Sequence, residues 1–322
     1  MAVGDKIRTG LMAGLLAGAC LLLCSCTFAP LLSQREIVHA VFFRQQGTAY
    51  TAWLLLADSK QSAEGAEPAY RTVAGNGQNP AQALQQAEDG LEGQVFYGLL
   101  DLAVLPAQCD WQQAEEIARL LYGKTKPAPQ ILLFMMAESQ EETLSENTAD
   151  LYKAMMNAQE RYGLENGLQV LFSQQNEGAL PVWQGTGYGF VFLQKDKPNT
   201  VLKDPVSAQL AAVLAGQANL LECTFAQGAA ALQAQASVQH SGSNTLYLIL
   251  DNPELIDLSG NQREQKWIQQ ALCNELLQAF AEFVPQVYTD RFDPLQTRVW
   301  VTAASGIRER VPTPQLAIHL EP

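Results

Sequence analysis

The sequence predicts a mixed α+β fold, on three observations. Strand-like and helix-like stretches both recur along its 322 residues. Their order does not follow the strict strand-helix-strand rhythm of a doubly wound parallel sheet. Two polar, turn-rich segments, Glu138 to Asn147 and Lys195 to Pro205, read as boundaries between folding units. Hydrophobic residues make up 48% of the chain, enough for packed cores, and the length beyond position 25 suits two or three domains of ordinary size.

Ile37 to Phe43 and Ala49 to Leu56 are apolar, strand-like and separated by Gln45-Gln46-Gly47, which predicts a hairpin. Ser59 to Pro68 is a polar loop, and Tyr70 to Ala74 adds a third strand before Gly75-Asn76-Gly77, read as a turn. Asn79 is placed to cap a helix that Pro80 opens, with Ala83, Leu84, Ala87 and Leu91 at helical spacing. Leu100 to Leu105 is a buried strand, Trp111 to Tyr122 an amphipathic helix ended by Gly123, and Ile131 to Met136 another strand.

Beyond the first boundary, a helix from Thr148 to Tyr162 stops at Gly163. Ala179 to Leu193 is strand-rich and interrupted by Gly185, Gly187 and Gly189. Those glycines precede a strand-like run rather than a helix, so they predict a bend or bulge in a sheet and not a phosphate loop. Val206 to Leu214 is a short helix, followed by strands at Leu220 to Ala226, Leu232 to Val238 and Thr245 to Asp251. Gln262 to Phe283 is the longest helix, with Trp267, Ile268, Leu272, Leu276 and Phe280 expected on one face. Arg298 to Thr302 and Gln315 to Leu320 are candidate closing strands.

The N-terminus reads as an export signal. Lys6 and Arg8 precede a short apolar run from Leu11 to Leu23, too short to span a bilayer comfortably. Leu23-Cys24-Ser25-Cys26 then resembles the bacterial lipobox, which implies cleavage after residue 25, diacylation of Cys26 and attachment to the membrane through the diacylglyceryl anchor. Cys24 follows bulky leucine, and Cys20 would leave a leucine run on the mature chain, so Cys26 is the favoured site. An uncleaved signal anchor is the alternative, and both put the rest of the protein outside the cytoplasmic membrane. Two acyl chains make an effectively permanent anchor.

A formal charge of -13 with no Lys/Arg cluster argues against a nucleic-acid partner and against peripheral binding to anionic lipid. Cys109, Cys223 and Cys273 are the cysteines after Cys26, an odd number that cannot form a complete disulfide set, and no CxxC or Cys/His spacing points to zinc. They read as small buried side chains. His39, His240 and His319 are the only histidines and accompany no GxSxG or HExxH motif. Glu115/Glu116 and Glu141/Glu142 are adjacent pairs that point in different directions and read as solvated faces. No catalytic residue, metal ligand or cofactor site is assigned.

In order, these elements resemble the C-subunit lipoproteins of bacterial spore germinant receptors, the Ger(x)C family. The matching features are the lipobox at Cys26, Arg35-Glu36-Ile37 leading into the first strand, and the glycine segment with helix from Gly75 to Leu91. Val95-Phe96-Tyr97-Gly98-Leu99-Leu100-Asp101-Leu102-Ala103-Val104-Leu105 is similar to the family's strand entry. Ala179-Leu180-Pro181-Val182, Gly189-Phe190-Val191-Phe192 and Lys195-Asp196-Lys197 resemble a later family segment, and a strand-rich stretch with a long helix completes the pattern. Three departures mark a divergent member. Cys26-Thr27-Phe28 replaces Cys-Trp-Asp, Leu99 stands where the family has histidine, and the segment around Gln286 to Pro294 is shortened.

The resemblance implies three mixed α/β domains after a signal peptide at residues 1–25. They are an N-terminal domain at 33–138, a middle domain at 139–205 and a strand-rich C-terminal domain with the long helix at 206–322. It implies a non-catalytic subunit on the outer face of the cytoplasmic membrane, the spore inner membrane, assembling with multi-span A- and B-type receptor subunits. It assigns no ligand-binding residues. An extracytoplasmic solute-binding or envelope-assembly lipoprotein is the alternative, and a cell-envelope hydrolase a third class.

Overall fold

β1 (Arg35–Gln46) and β2 (Ala49–Ala57) form the expected antiparallel hairpin, Gln46 opposite Ala49. The computed structural model describes residues 35–58, 69–125, 131–172, 177–240, 244–260, 263–288, 293, 295 and 313–321. The signal segment 1–25, Cys26, the loop at 59–68 and the strand expected at 298–302 lie outside the described residues.

β3 (Tyr70–Gly77) pairs with β2 along its whole length, Tyr50 opposite Gly77, so Gly75-Asn76-Gly77 is strand and not the expected turn. The reason is close packing. α1 (Pro80–Asp89) lies directly on the strand, and a Cβ at Gly75 would stand 2.2 Å from the Ala87 nitrogen and 2.4 Å from the Ala83 oxygen. Only glycine admits a helix backbone at that distance. Asn79 caps α1 as expected, its Oδ1 accepting from the Gln82 N–H at 2.9 Å.

β4 (Gln94–Phe96) and β5 (Leu102–Leu105) both run parallel to β1. β5 is followed by α2 (Trp111–Thr125), β6 (Leu132–Met136), α3 (Glu138–Glu141), α4 (Leu144–Tyr162), a 3₁₀ turn (Leu168–Leu171) and β7 (Glu177–Trp183). β5, β6 and β7 are mutually parallel. Every residue of β5 and β6 is buried, as strands covered on both faces require. α2 runs past Gly123, where a stop was expected, and the segment from Glu138 to Asn147 is helical rather than a linker. β8 (Tyr188–Gln194) pairs antiparallel with β7, and β9 (Thr200–Leu202) with β8. The glycine-rich segment is thus a hairpin turn, closed by the Gln184 N–H donating to the Gly187 carbonyl at 2.9 Å.

Among the described residues the first sheet has the order β3-β2-β1-β5-β6-β7-β8-β9, with β4 beside β1. β7 to β9 come from 139–205 and continue the sheet begun in 33–138, so these two stretches share one sheet. Strand alternation gives the sheet two apolar faces. Val41, Phe43 and Leu54 pack with α1 and α2, whereas Phe42, Leu55 and Phe134 pack with α4.

α5 (Pro205–Leu214), capped by Asp204 Oδ2 accepting from the Ser207 N–H at 2.8 Å, is buried from Val206 to Leu214. A helix apolar all round must lie between layers, and this one packs against β8, β10 and the long helix α6 (Gln265–Val287). The second sheet, β10-β11-β12-β13, comprises β10 (Leu220–Phe225), β11 (Ala230–His240), β12 (Thr245–Asp257) and β13 (Gln315–Glu321), with β13 parallel to β12. α6 buries Ile268, Leu272, Leu276 and Phe280 as expected, but Trp267 is exposed and lies under the Arg263 guanidinium, 4.0 Å from the ring centroid. The mixed α/β class is as the sequence predicts, with a parallel centre to the first sheet.

Candidate functional site

The parallel strands β1, β5, β6 and β7 all begin at one end of the first sheet, which gathers the polar and aromatic residues of greatest interest. His39 is the extra residue of a β-bulge, since Val38 pairs with Leu56 and Ala40 with Leu55. A bulge re-aims a side chain relative to its strand. Asp101, just before β5, is fixed by its N–H donating to the His39 carbonyl at 2.9 Å, and its Oδ2 lies 3.0 Å from His39 Nδ1. The same oxygen accepts from the Tyr152 hydroxyl of α4 at 3.1 Å. Tyr70, which opens β3, sets its ring edge-on to Tyr152 at 5.4 Å and to His39 at 5.7 Å.

A carboxylate on Nδ1 fixes the ring and orients it, as in acid-base sites. Burial, then the Asp101 charge, pushes the Tyr152 phenol upward, so it stays a neutral donor at ordinary pH. Among the described residues His39 hydrogen-bonds through its ring only to Asp101, with no serine, threonine or cysteine joined to it. The cluster therefore ties β1, β3, β5 and α4 together.

A second cluster ties the helices to the same end. Tyr97 donates its hydroxyl to Glu88 Oε1 at 2.6 Å, and Lys124 Nζ lies 2.8 Å from both Glu88 oxygens. Burial first, then the Glu88 hydrogen bond, raises the Tyr97 pKa. Arg35 stacks over Phe96 at 5.0 Å. Nearby, Leu99 and Tyr122 are 48% and 50% exposed. Tyr122 meets Phe172 edge-on at 5.7 Å, and Arg119 lies over the Phe172 ring at 5.6 Å. An open groove of about 550 Å³ runs between Arg119, Tyr122, Gly123, Gln169 and Phe172.

The three histidines sit on three different strands. His240 ends β11 and lines a groove of about 450 Å³ with Val213, Val238 and Leu295, and burial lowers its pKa. His319 is on β13, tilted against Tyr247 at 5.4 Å. Cys109 and Cys223 are buried, Cys273 is half-buried, and none forms a disulfide among the described residues. Burial raises all three thiols, Cys223 to about 12. Glu115 pairs with Arg119 on α2, and Glu141 accepts from the Ala107 N–H at 2.7 Å, so both acidic pairs do structural work. Among the described residues no group of His, Cys, Asp and Glu is arranged to hold a metal ion, and no helix is long and apolar enough to cross a membrane.

The sequence offered His39 only as one of three histidines, with no role and no partner assigned. Asp101 and Tyr152 lie 62 and 51 residues from the atoms they meet, and no local spacing announces them. The signal within reach was a pair of tyrosines at element ends, Tyr70 opening β3 and Tyr97 directly after β4, each with a polar tip on an apolar ring.

No family model matches the chain, and no curated protein matches it. Among solved structures the chain is similar to the crystal structure of the GerBC protein, at 9% identity and a TM-score of 0.43, over 87% of this chain and 95% of that one.

Proposed function

We propose that this protein is a non-catalytic, lipid-anchored subunit of a spore germinant receptor. Cys26 carries the diacylglyceryl group, the folded part stands on the outer face of the cytoplasmic membrane, and multi-span A- and B-type subunits are its partners. The observation that carries this reading is the order of the sequence signatures. A lipobox-like stretch, the Arg35-Glu36-Ile37 strand entry, the glycine segment with its helix, the Phe96-Tyr97-Gly98 entry and the Leu180-Pro181 segment follow one another as in the Ger(x)C family. The acidic composition, with no Lys/Arg cluster, accords with it.

Deleting the gene in its sporulating host and following nutrient-triggered germination tests the reading. The deletion is expected to abolish the response to at least one amino acid or sugar, with the wild-type chain restoring it and Cys26→Ala restoring it poorly. Unchanged responses to all nutrients would overturn the receptor reading and favour an extracytoplasmic solute-binding or envelope-assembly lipoprotein.

A further inference from the structure

We propose that the end of the first sheet at which β1, β5, β6 and β7 begin rests on the bilayer, with Leu99, Tyr122 and Phe172 at the boundary between lipid headgroups and acyl chains. The inference rests on Cys26 being the lipid attachment. The chain from Cys26 to Arg35, fully extended at ~3.5 Å per residue, spans at most about 30 Å. β1 then carries its 12 residues away from the tether for about 40 Å, so the Gly47 hairpin turn lies at the far end.

Topology places the three apolar side chains at the near end. β5 is parallel to β1, with Leu102 opposite Ala40, so Leu99 lies towards the start of β1. β6 is parallel to β5, so α2 leaves the far end of β5 and returns to the near end, bringing Tyr122 and Lys124 with it. The hydrogen bonds from Lys124 to Glu88, beside Tyr97, fix that position. Phe172 precedes β7, which is parallel to β6, and meets Tyr122 directly.

The chemistry suits an interface with lipid. Tyrosine favours the headgroup level, where its ring is sheltered and its hydroxyl wet. Arg119, held by Glu115, stacks its guanidinium on Phe172, and such a stem can lie along apolar surface while its charged head stays at the polar level. The charge of -13 removes attraction to anionic lipid as the source of binding, so the acyl chains hold the protein and the patch orients it.

The test uses the full lipidated protein in phosphatidylcholine vesicles containing a nitroxide-labelled lipid. A fluorophore is placed at Leu99→Cys or at Gly47→Cys, in a Cys273→Ser background. Loss of most emission at position 99, with little loss at position 47, is the expected result. Equal quenching at both sites, or stronger quenching at 47, in protein whose mass shows lipid on Cys26 would overturn the orientation and leave the anchor standing. Protein that carries no lipid on Cys26 would overturn the anchor and the orientation together.

Discussion

Gly75→Ala should dislodge α1 from the first sheet. The added carbon would meet the Ala87 nitrogen at 2.2 Å and the Ala83 oxygen at 2.4 Å, both backbone atoms of a helix that cannot rotate aside. Relief to ordinary contact requires α1 to withdraw by about 1 Å, loosening Pro80, Ala83, Leu84 and Ala87, all buried against the sheet. Overpacking of this kind costs about 1–3 kcal/mol. Partial loss of the Leu84 contacts adds a share of the ~1.5–3 kcal/mol that burying a leucine contributes. We expect about 3 kcal/mol in all, which at about 2–4 °C per kcal/mol for a chain of this size lowers Tm by roughly 6–12 °C. Scanning calorimetry measures the shift, and hydrogen exchange should show α1 and β3 opening first. Gly123→Ala is the matched control, because nothing lies within 4 Å of its added carbon. Inside α2 it should add about 0.5–1 kcal/mol by helix propensity. An unchanged Tm for Gly75→Ala, or an equal loss for Gly123→Ala, would refute the close-packing argument.

Asn166→Leu should cost about 2–5 kcal/mol in urea unfolding, since Asn166 Oδ1 accepts from the Leu133 N–H at 2.8 Å and its Nδ2 donates to the Leu133 carbonyl at 2.9 Å, leaving two buried groups orphaned. Stability should fall as pH rises above about 10, the unfolded tyrosine value. Burial raises Tyr50 to about 12 and lifts Tyr97, Tyr152 and Tyr188 further, so above pH 10 the unfolded chain binds fewer protons than the folded one and unfolding is favoured. Denaturant midpoints that stay level from pH 9 to 11 would contradict it. A thiol reagent at pH 8 should modify half-buried Cys273 in the native protein and reach Cys109 and Cys223 only on unfolding, which peptide mapping resolves.

Local chemistry made several elements legible. Asn79-Pro80 announced α1, Gly47 the first hairpin, and Gly163, at φ 56, the end of α4. The same residues misled where one signal serves two ends. Gly75 and Gly77 read as a turn because glycine marks turns, whereas here it marks the approach of a helix, which only the three-dimensional packing reveals. Gly123 read as a helix stop, but it lies on the open side of α2, which runs on to Thr125. The segment Glu138 to Asn147 lacks an apolar period because α3 buries none of its residues and α4 at first only Leu144 and Thr148 among the described side chains. Trp267 was expected inward beside Ile268, yet neighbours on a helix lie about 100° apart, and the stripe through Ile268, Leu272 and Leu276 leaves Trp267 to Arg263. The His39 cluster depends on a bulge and on partners far along the chain, which periodicity does not encode. Cys26, the one residue assigned a functional role from sequence, lies outside the described residues.

Co-purification reads out whether Cys26 holds the protein in a membrane receptor complex. The tagged protein would be pulled from detergent-solubilised membranes of sporulating cells, its partners identified by mass spectrometry, and a Cys26→Ala variant treated alike. Two multi-span subunits should be recovered with the wild-type chain, and should be lost, or the chain mislocalised, in the variant. A lipidated chain recovered alone, from vegetative envelopes, would contradict membership of that complex.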